Sequence, residues 1–311
     1  PETLQRAIDL IEAPLRVEKV DSLDQIPTSS AGDPATLTCL PVGDDSSDAS
    51  PNSPGGAAAG QAAYEAVVLA ARGAMTGHFD ALATAPLSKA ALHAAGHAYP
   101  GHTELLAELC GVDDFAMMLY LSANELPNCR AGLGVVHTTL HCSMRNALAT
   151  ISEDSIFAKC RLAHAAMSKG FRVDAPRIAV CALNPHAGES GLFGDEEARV
   201  IAPAVDRARQ AGIDVAGPLP ADTLMVRAAS GEFDAAVAMY HDQGHIALKL
   251  LGMHRAVNIT LGLPIIRTSA AHGTAYDLAW QGQADCAGMI EAILAAAQLA
   301  DQGFRFNVAV G

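Results

Sequence analysis

Short apolar runs, each closed by a polar loop and followed by a segment with helical spacing, recur along the chain. This alternation limits the fold more than any other feature. "FAMMLYL", "GLGVVHTTL", "RIAVCALNP", "FDAAVAMY" and "AVNITLGLPIIRT" read as strands, most of them apolar on both faces. "AAAGQAAYEAVVLAARGAM", "SEDSIFAKCRLAHAAMSKG" and "DEEARVIAPAVDRARQAG" read as helices, the second opened by Ser152 before two carboxylates and ended by Gly170. Strands hidden on both faces need helices above and below, so the pattern predicts an α/β/α sandwich. Before it come a helix on the Leu4, Ile8, Ile11 spacing, a break at Pro14, and a strand with a Ser/Pro/Gly/Asp-rich surface loop over 28–57. "FDALATAP" predicts a further strand that leaves Thr84 at its end, and Ala284 to Ala300 a packed helix.

In "HTTLHCSM", "LNPHAGE" and "MYHDQG" a histidine stands just beyond an apolar strand. Ligands of open α/β sheets bind at the carboxyl ends of strands, so these histidines share one expected place. Three neutral imidazoles hold a divalent ion and leave a position open for substrate. His141, His186 and His241 are the candidates; His137 and His245 are neighbours that spacing alone does not exclude, and no H-E-x-x-H run is present. Lys249, Asn258 and Arg267 follow His241 along what reads as one strand–loop–strand passage. Arg267 ends the apolar run "GLPIIR", where either an anion clamp or a solvated terminal charge fits. "GHTE" reads as a turn in which Thr103 caps a helix starting at Glu104, and such a start suits an anion. "GPLPADT" is a Pro-rich turn that fixes Asp222, and the small residues of "RTSAAHGTAYDLA" open a helix that a nucleotide can approach closely, although G-x-G-x-x-G is absent.

A net charge of −14 argues against a nucleic-acid partner, which needs a basic footprint, while a few local cations still suit a small anionic substrate. No apolar run reaches the ~20 residues of a membrane helix. Seven scattered cysteines without a C-x-x-C pair fit reduced thiols in a cytoplasm.

Taken in order, "TAPLSK", "GHTE", "LNPHAGESGLFGDEE", "GPLPADT", "MYHDQG" with the following "LK", "VNITLGLPIIRTS" and "HGTAYDLA" resemble the 4-hydroxythreonine-4-phosphate dehydrogenase family of vitamin B6 biosynthesis. The resemblance implies two α/β/α domains of the isocitrate and isopropylmalate dehydrogenase type, with the active site in the cleft between them. Residues 1–100 plus 268–311 are the expected first domain, and 101–267 the second, carrying the metal site and the dimer interface. It implies a homodimer with a shared active site, NAD or NADP as oxidant, and a divalent ion (zinc, magnesium or cobalt) on His141, His186 and His241. Substrate contacts fall on His102, Thr103, Lys249, Asn258 and Arg267, cofactor contacts on His272, Gly273 and Asp277, and the general base on Lys249 or Asp222.

The match has departures. "LHCSM" lacks the family's threonine and proline, Ala271 replaces an acidic residue, Trp280 stands where a glycine is usual, and the family's opening strand and Gly-rich turn have no counterpart. "LHCSM" and "HDQGHI" are also similar to a side branch acting on cis-dihydrodiol dicarboxylates, and other branches oxidise four-carbon sugar-acid phosphates. The implied reaction is oxidation of a secondary alcohol in 4-hydroxythreonine 4-phosphate, followed by decarboxylation, on the way to pyridoxal phosphate. A metallohydrolase using the same ion to activate water and a non-catalytic metal or metabolite binder are the rivals.

Overall fold

The structure, a computed structural model, describes residues 1–27, 32–43 and 56–306. The chain divides into two compact units: one formed by Pro1–Asp80, Pro86–Leu109 and His272–Cys286, the other by Ala81–Ala85, Cys110–Ala271 and Ala287–Gly311.

In the first unit, helix α1 (Glu2–Leu10) leads to strands β1 (Arg16–Lys19) and β2 (Thr36–Cys39), which pair in parallel. Helices α2 (Ala57–Met75), α3 (Lys89–Ala94) and α4 (His102–Leu109) follow. Helix α2 carries Gly60 where the Ala91 carbonyl of α3 comes too close for any side chain. The loop expected within 28–57 falls largely on 28–31 and 44–55, outside the described residues. Helix α4 starts at His102 and not at Glu104, so Thr103 is a buried residue of its first turn and no cap.

The second unit is built on one mixed sheet: β3 (Leu82–Thr84), β4 (Ala116–Leu121), β5 (Leu133–His137), β6 (Ile178–Cys181), β7 (Val215–Leu219), β8 (Ala235–Ala238), β9 (Val257–Leu261) and β10 (Arg267–Ala270). Their spatial order is β3-β10-β9-β4-β5-β8-β6-β7. Strands β5, β8, β6 and β7 run parallel; β5–β4, β4–β9 and β9–β10 pair antiparallel, and β10–β3 pair in parallel. Strands β4, β5, β6 and β8 are buried at every residue, as a doubly covered sheet requires.

Helices α5 (Met144–Thr150), α6 (Glu153–Ala165), α7 (Ala202–Gln210), α8 (Ala221–Ala229), α9 (His241–Gly252) and α10 (Ala287–Asp301) complete this unit. Ile156, Cys160, Val205, Ala292 and Leu299 of α6, α7 and α10 meet Met118, Val136, Ile178 and Val237 on one face. Leu224 of α8 and Leu248 of α9 meet Leu119, Val135, Ala179 and Ala236 on the other. Each such leucine contributes about 1.5–3 kcal/mol by leaving water. Ser152 caps α6 in a reciprocal pair with Ser155, as the Ser-plus-carboxylates start anticipates.

Two local readings change. The passage after His241 is helix α9, not strand and loop, and Lys249 lies on it. Tyr240, extended at φ −143° and ψ 163°, ends the strand direction, and Gly244, His245 and Leu248 then form the buried helical stripe. "RTSAAHGTAYDLA" opens no α-helix: its first four residues are β10, and only a short 3-10 turn, Tyr276–Leu278, follows. Positive φ at Ala275 (46°) and Trp280 (58°) interrupts any helical run there.

Candidate active site

The carboxyl ends of β5, β6 and β8 stand side by side, and each hands its chain directly to one candidate histidine. Gln243 ties two of these ends together, accepting from the Met239 amide (2.7 Å) and donating to the Ala182 carbonyl (2.8 Å). Thr139 donates to the Met239 carbonyl at 2.8 Å, which brings the segment after β5 to the same place. His141 and His241 therefore face one another with ring centroids 5.9 Å apart, on a cavity of about 440 Å³ also lined by Cys142, Tyr240 and Asp242. His241 Nδ1 lies 2.7 Å from Asp242 Oδ1, so Nδ1 carries the proton and Nε2 keeps its lone pair. A carboxylate behind an imidazole is the usual support of a metal-binding histidine.

His186 lines a second cavity, of about 290 Å³, with Asn184, Asp222 and Gln243; Tyr240 borders both cavities. Among the described residues of one chain, no three metal-capable side chains converge. His141 and His241 come together, and His186 stands apart from them.

The backbone at His186 is unusual. His186, Ala187, Gly188, Glu189 and Ser190 have φ of 54°, 53°, 79°, 43° and 56°, a left-handed turn held by mostly non-glycine residues. Left-handed geometry costs roughly 1–2 kcal/mol for each L-residue. Glu197 offsets part of that cost: its carboxylate accepts from the Leu183 amide (2.8 Å), the Asn184 amide (2.7 Å) and Asn184 Nδ2 (3.0 Å). Burial alone raises the Glu197 pKa, but these donors outweigh it and hold the carboxyl below its ordinary range. Strain of this kind, maintained by a buried carboxylate, belongs to functional loops more often than to spacers.

Beneath His241 lies a buried imidazole pair. His245 stacks on His241 with centroids 3.7 Å apart and planes within 11°. Its Nδ1 lies 3.0 Å from Nε2 of His137, whose Nδ1 faces the Met117 carbonyl at 3.4 Å. Burial pushes His137 down to about 3 and His245 to about 4, so both are neutral near pH 7. Gly244 permits this packing, because a Cβ there would come within 2.5 Å of His137 Nε2.

The sheet face under α9 carries the other polar groups. Arg267, 3 % exposed, donates through Nε and Nη2 to Thr84 Oγ1 (3.1 and 2.9 Å) and through Nη1 to Thr260 Oγ1 (3.1 Å). It is a buried guanidinium and not a solvated strand-end charge. Asn258 Oδ1 on the adjoining strand is buried with no hydrogen-bond partner, an arrangement that costs about 1–3 kcal/mol unless a ligand completes it. Lys249 is half-buried on α9, and Asp222 lies in the first turn of α8 beyond the cis Gly217–Pro218 bond.

The remaining candidates belong to the first unit. His102 and Thr103 open α4; His272, Gly273 and Asp277 are exposed in the irregular stretch around the 3-10 turn. Trp280, where the family has glycine, adopts the left-handed φ that glycine favours, with Arg6 stacked 3.9 Å above its ring. Sequence reasoning passed over Tyr240, Gln243 and Glu197. Gln243 and Tyr240 sit inside the quoted "MYHDQG" and Glu197 ends "LNPHAGESGLFGDEE", but the pattern gave Glu197 no role, since that role arises only where the chain folds back on Asn184. The seven cysteines are free thiols, as their scattering predicts.

Comparison with known proteins adds an independent line. A family model described as "Pyridoxal phosphate biosynthetic protein PdxA" matches residues 1–296. The chain is 50% identical over 245 residues to D-threonate 4-phosphate dehydrogenase of Pectobacterium atrosepticum, covering 78% of this chain and 72% of the relative. It is 48% identical over 302 residues to 4-hydroxythreonine-4-phosphate dehydrogenase of Geobacter metallireducens, covering 96% and 84%. The crystal structure of 4-hydroxythreonine-4-phosphate dehydrogenase from Klebsiella pneumoniae superposes with a TM-score of 0.82 at 44% identity, covering 96% of this chain and 88% of that one.

Proposed function

The chain belongs to the PdxA family, and on that premise we propose that it is a dehydrogenase that oxidises the secondary alcohol of 4-hydroxythreonine 4-phosphate. The single observation that carries the reading is the convergence of His141 and His241 on one cavity, with the His241 Nε2 lone pair left available by Asp242.

His141, His241 and His186 would hold a divalent ion, which would supply Lewis acidity at the alcohol oxygen, and a nicotinamide cofactor would supply the hydride acceptor. The chain's own groups do the rest. Asp242 keeps the His241 proton on Nδ1. Arg267 and Lys249 bind the substrate's anionic ends, Asn258 Oδ1 accepts from a substrate donor, and His102 and Thr103 are further substrate contacts carried by the resemblance. Lys249 or Asp222 takes the alcohol proton as hydride leaves, and the resulting ketone lies β to the carboxylate, so carbon dioxide can depart with the electron pair drawn into the carbonyl. His272, Gly273 and Asp277 are the proposed contacts of NAD or NADP.

His186 stands apart from the other two within one chain, and a homodimer in which the copies share the site resolves this. Apolar surface supports it: Leu192 (73 % exposed) and Phe193 follow the His186 turn, Ile246 and Leu250 (82 %) project from α9, and Met253 stands just beyond its end. Zinc is the ion the imidazole donors suit best. The two division points, near 100 and 268, remain the proposed domain boundaries, and a cytoplasmic setting fits the free thiols. No described helix is long and apolar enough to cross a membrane.

D-threonate 4-phosphate is the second reading, favoured by the 50% identity to enzymes of that name. The two substrates differ at the carbon beside the carboxylate, amine against hydroxyl. Appearance of reduced nicotinamide with each substrate, with and without chelator, tests both readings. Turnover that survives exhaustive chelation, or none with either substrate, overturns the proposal.

A further inference from the structure

Two imidazoles buried in the core need a reason, because apolar side chains of similar size would pack there without polar atoms to satisfy. The His137–His245 pair is buried, at 1 % and 8 % exposure, and is joined across 108 residues of sequence. Its proton positions follow from its neighbours. The Met117 carbonyl can only accept, so His137 donates from Nδ1 and its Nε2 must accept. His245 therefore donates from Nδ1, to His137 Nε2 at 3.0 Å and in part to the His241 carbonyl at 3.2 Å. The two bonds fix the plane of the His245 ring, and that ring lies flat against His241 at 3.7 Å.

We infer that His245 and His137 are positioning residues: a hydrogen-bonded pair, anchored on β4, that holds the His241 ring so that its Nε2 faces the His141 side of the cavity. The inference rests on the proposed metal-binding role of His241. A ring held on one edge by Asp242 and on one face by His245 keeps few of its rotamers, so the ordering is built into the protein before any ion binds. Gly244 belongs to the same device, since it lets α9 approach His137.

The test uses the full-length protein and cobalt(II) alone. Affinity is read by competition with a chromophoric chelator, geometry by the visible cobalt spectrum, and proton position on His241 by nitrogen-15 NMR of metal-free protein at pH 8. His245→Leu removes both the flat ring and its donor; cobalt affinity should fall about tenfold or more, and His241 should change from one tautomer to a mixture. His245→Phe restores a flat ring and should recover most of the affinity. A merely structural role predicts a lower melting temperature with cobalt affinity and the His241 tautomer unchanged, and that result overturns the inference. His241→Ala separates the two levels: undiminished cobalt binding there overturns the metal reading itself, and the inference with it. If His245→Leu fails to fold, the unmodified protein still decides, because a proton on Nε2 of His245 contradicts the assigned chain.

Discussion

Strands β5, β6 and β8 end very differently at their two extremities. At the amino ends, Asp234 is 3 % exposed and meets Arg130 through two bonds of 2.8 Å and the Arg177 amide at 2.7 Å. Arg177 also donates to the Gly231 carbonyl at 2.7 Å, closing the same corner. At the carboxyl ends the chain enters a left-handed turn, Thr138 Oγ1 is buried without a partner, and two histidines face an open cavity. The same strands thus carry a satisfied polar cluster at one end and an incompletely satisfied one at the other. The first lowers the free energy of the fold; the second holds groups in wait for a ligand, which is how stability and function are separated along one sheet.

Substitutions that affect only one end sharpen this contrast most. His241→Ala should lower kcat/KM about a thousandfold, near 4 kcal/mol of transition-state stabilisation, while the urea midpoint changes little. Equal losses of activity and stability would break the division. Asp234→Ala should act in the opposite sense, costing about 2 kcal/mol in denaturant unfolding through loss of the charge-assisted bonds from two half-exposed arginines and leaving kcat of the folded protein unaltered. Acid pH probes the same cluster. Burial alone raises the Asp234 pKa, but the Arg130 hydrogen bonds, the Arg177 amide and the two guanidiniums outweigh it and hold the carboxyl below its ordinary range. The unfolded chain then takes up the proton first, so this stabilisation is present above the unfolded pKa and disappears as pH falls through the folded one. The stability gap between the native protein and Asp234→Ala should narrow on acidification; a constant gap would show that charge is not what the corner uses.

A smaller effect is expected from Glu197→Gln, which keeps one acceptor oxygen but loses the charge. It should cost about 1 kcal/mol and raise KM more than it lowers kcat, because the His186 turn loosens; an unchanged KM would detach that turn from substrate binding. The smallest belongs to the first unit: Trp280→Gly exchanges relief of a left-handed backbone for loss of the Arg6 stacking, two terms of about 1 kcal/mol each. Thermal melting should move by only a few degrees.

Much of this was legible without coordinates. The doubly apolar runs announced a covered sheet because a strand cannot bury both faces in any other way, and the His141, His186 and His241 segments announced their strand ends. Local chemistry misled where two conformations share a pattern: "HIALKLL" is apolar enough for either element, and only the docking of Leu248 on β4 and β5 made it helix. "GHTE" looks like a cap, yet α4 begins two residues earlier, at His102, and buries Thr103.

The sequence by itself determined the layered architecture and the family, since periodicity and ordered motifs are properties of neighbouring residues. Tertiary structure alone decided which groups meet. Contacts such as His245 with His137, Glu197 with Asn184 and Arg267 with Thr84 depend on how distant segments return to one sheet. No local propensity encodes that return: burial of the whole core selects it, and the polar partners are then placed by the packing around them.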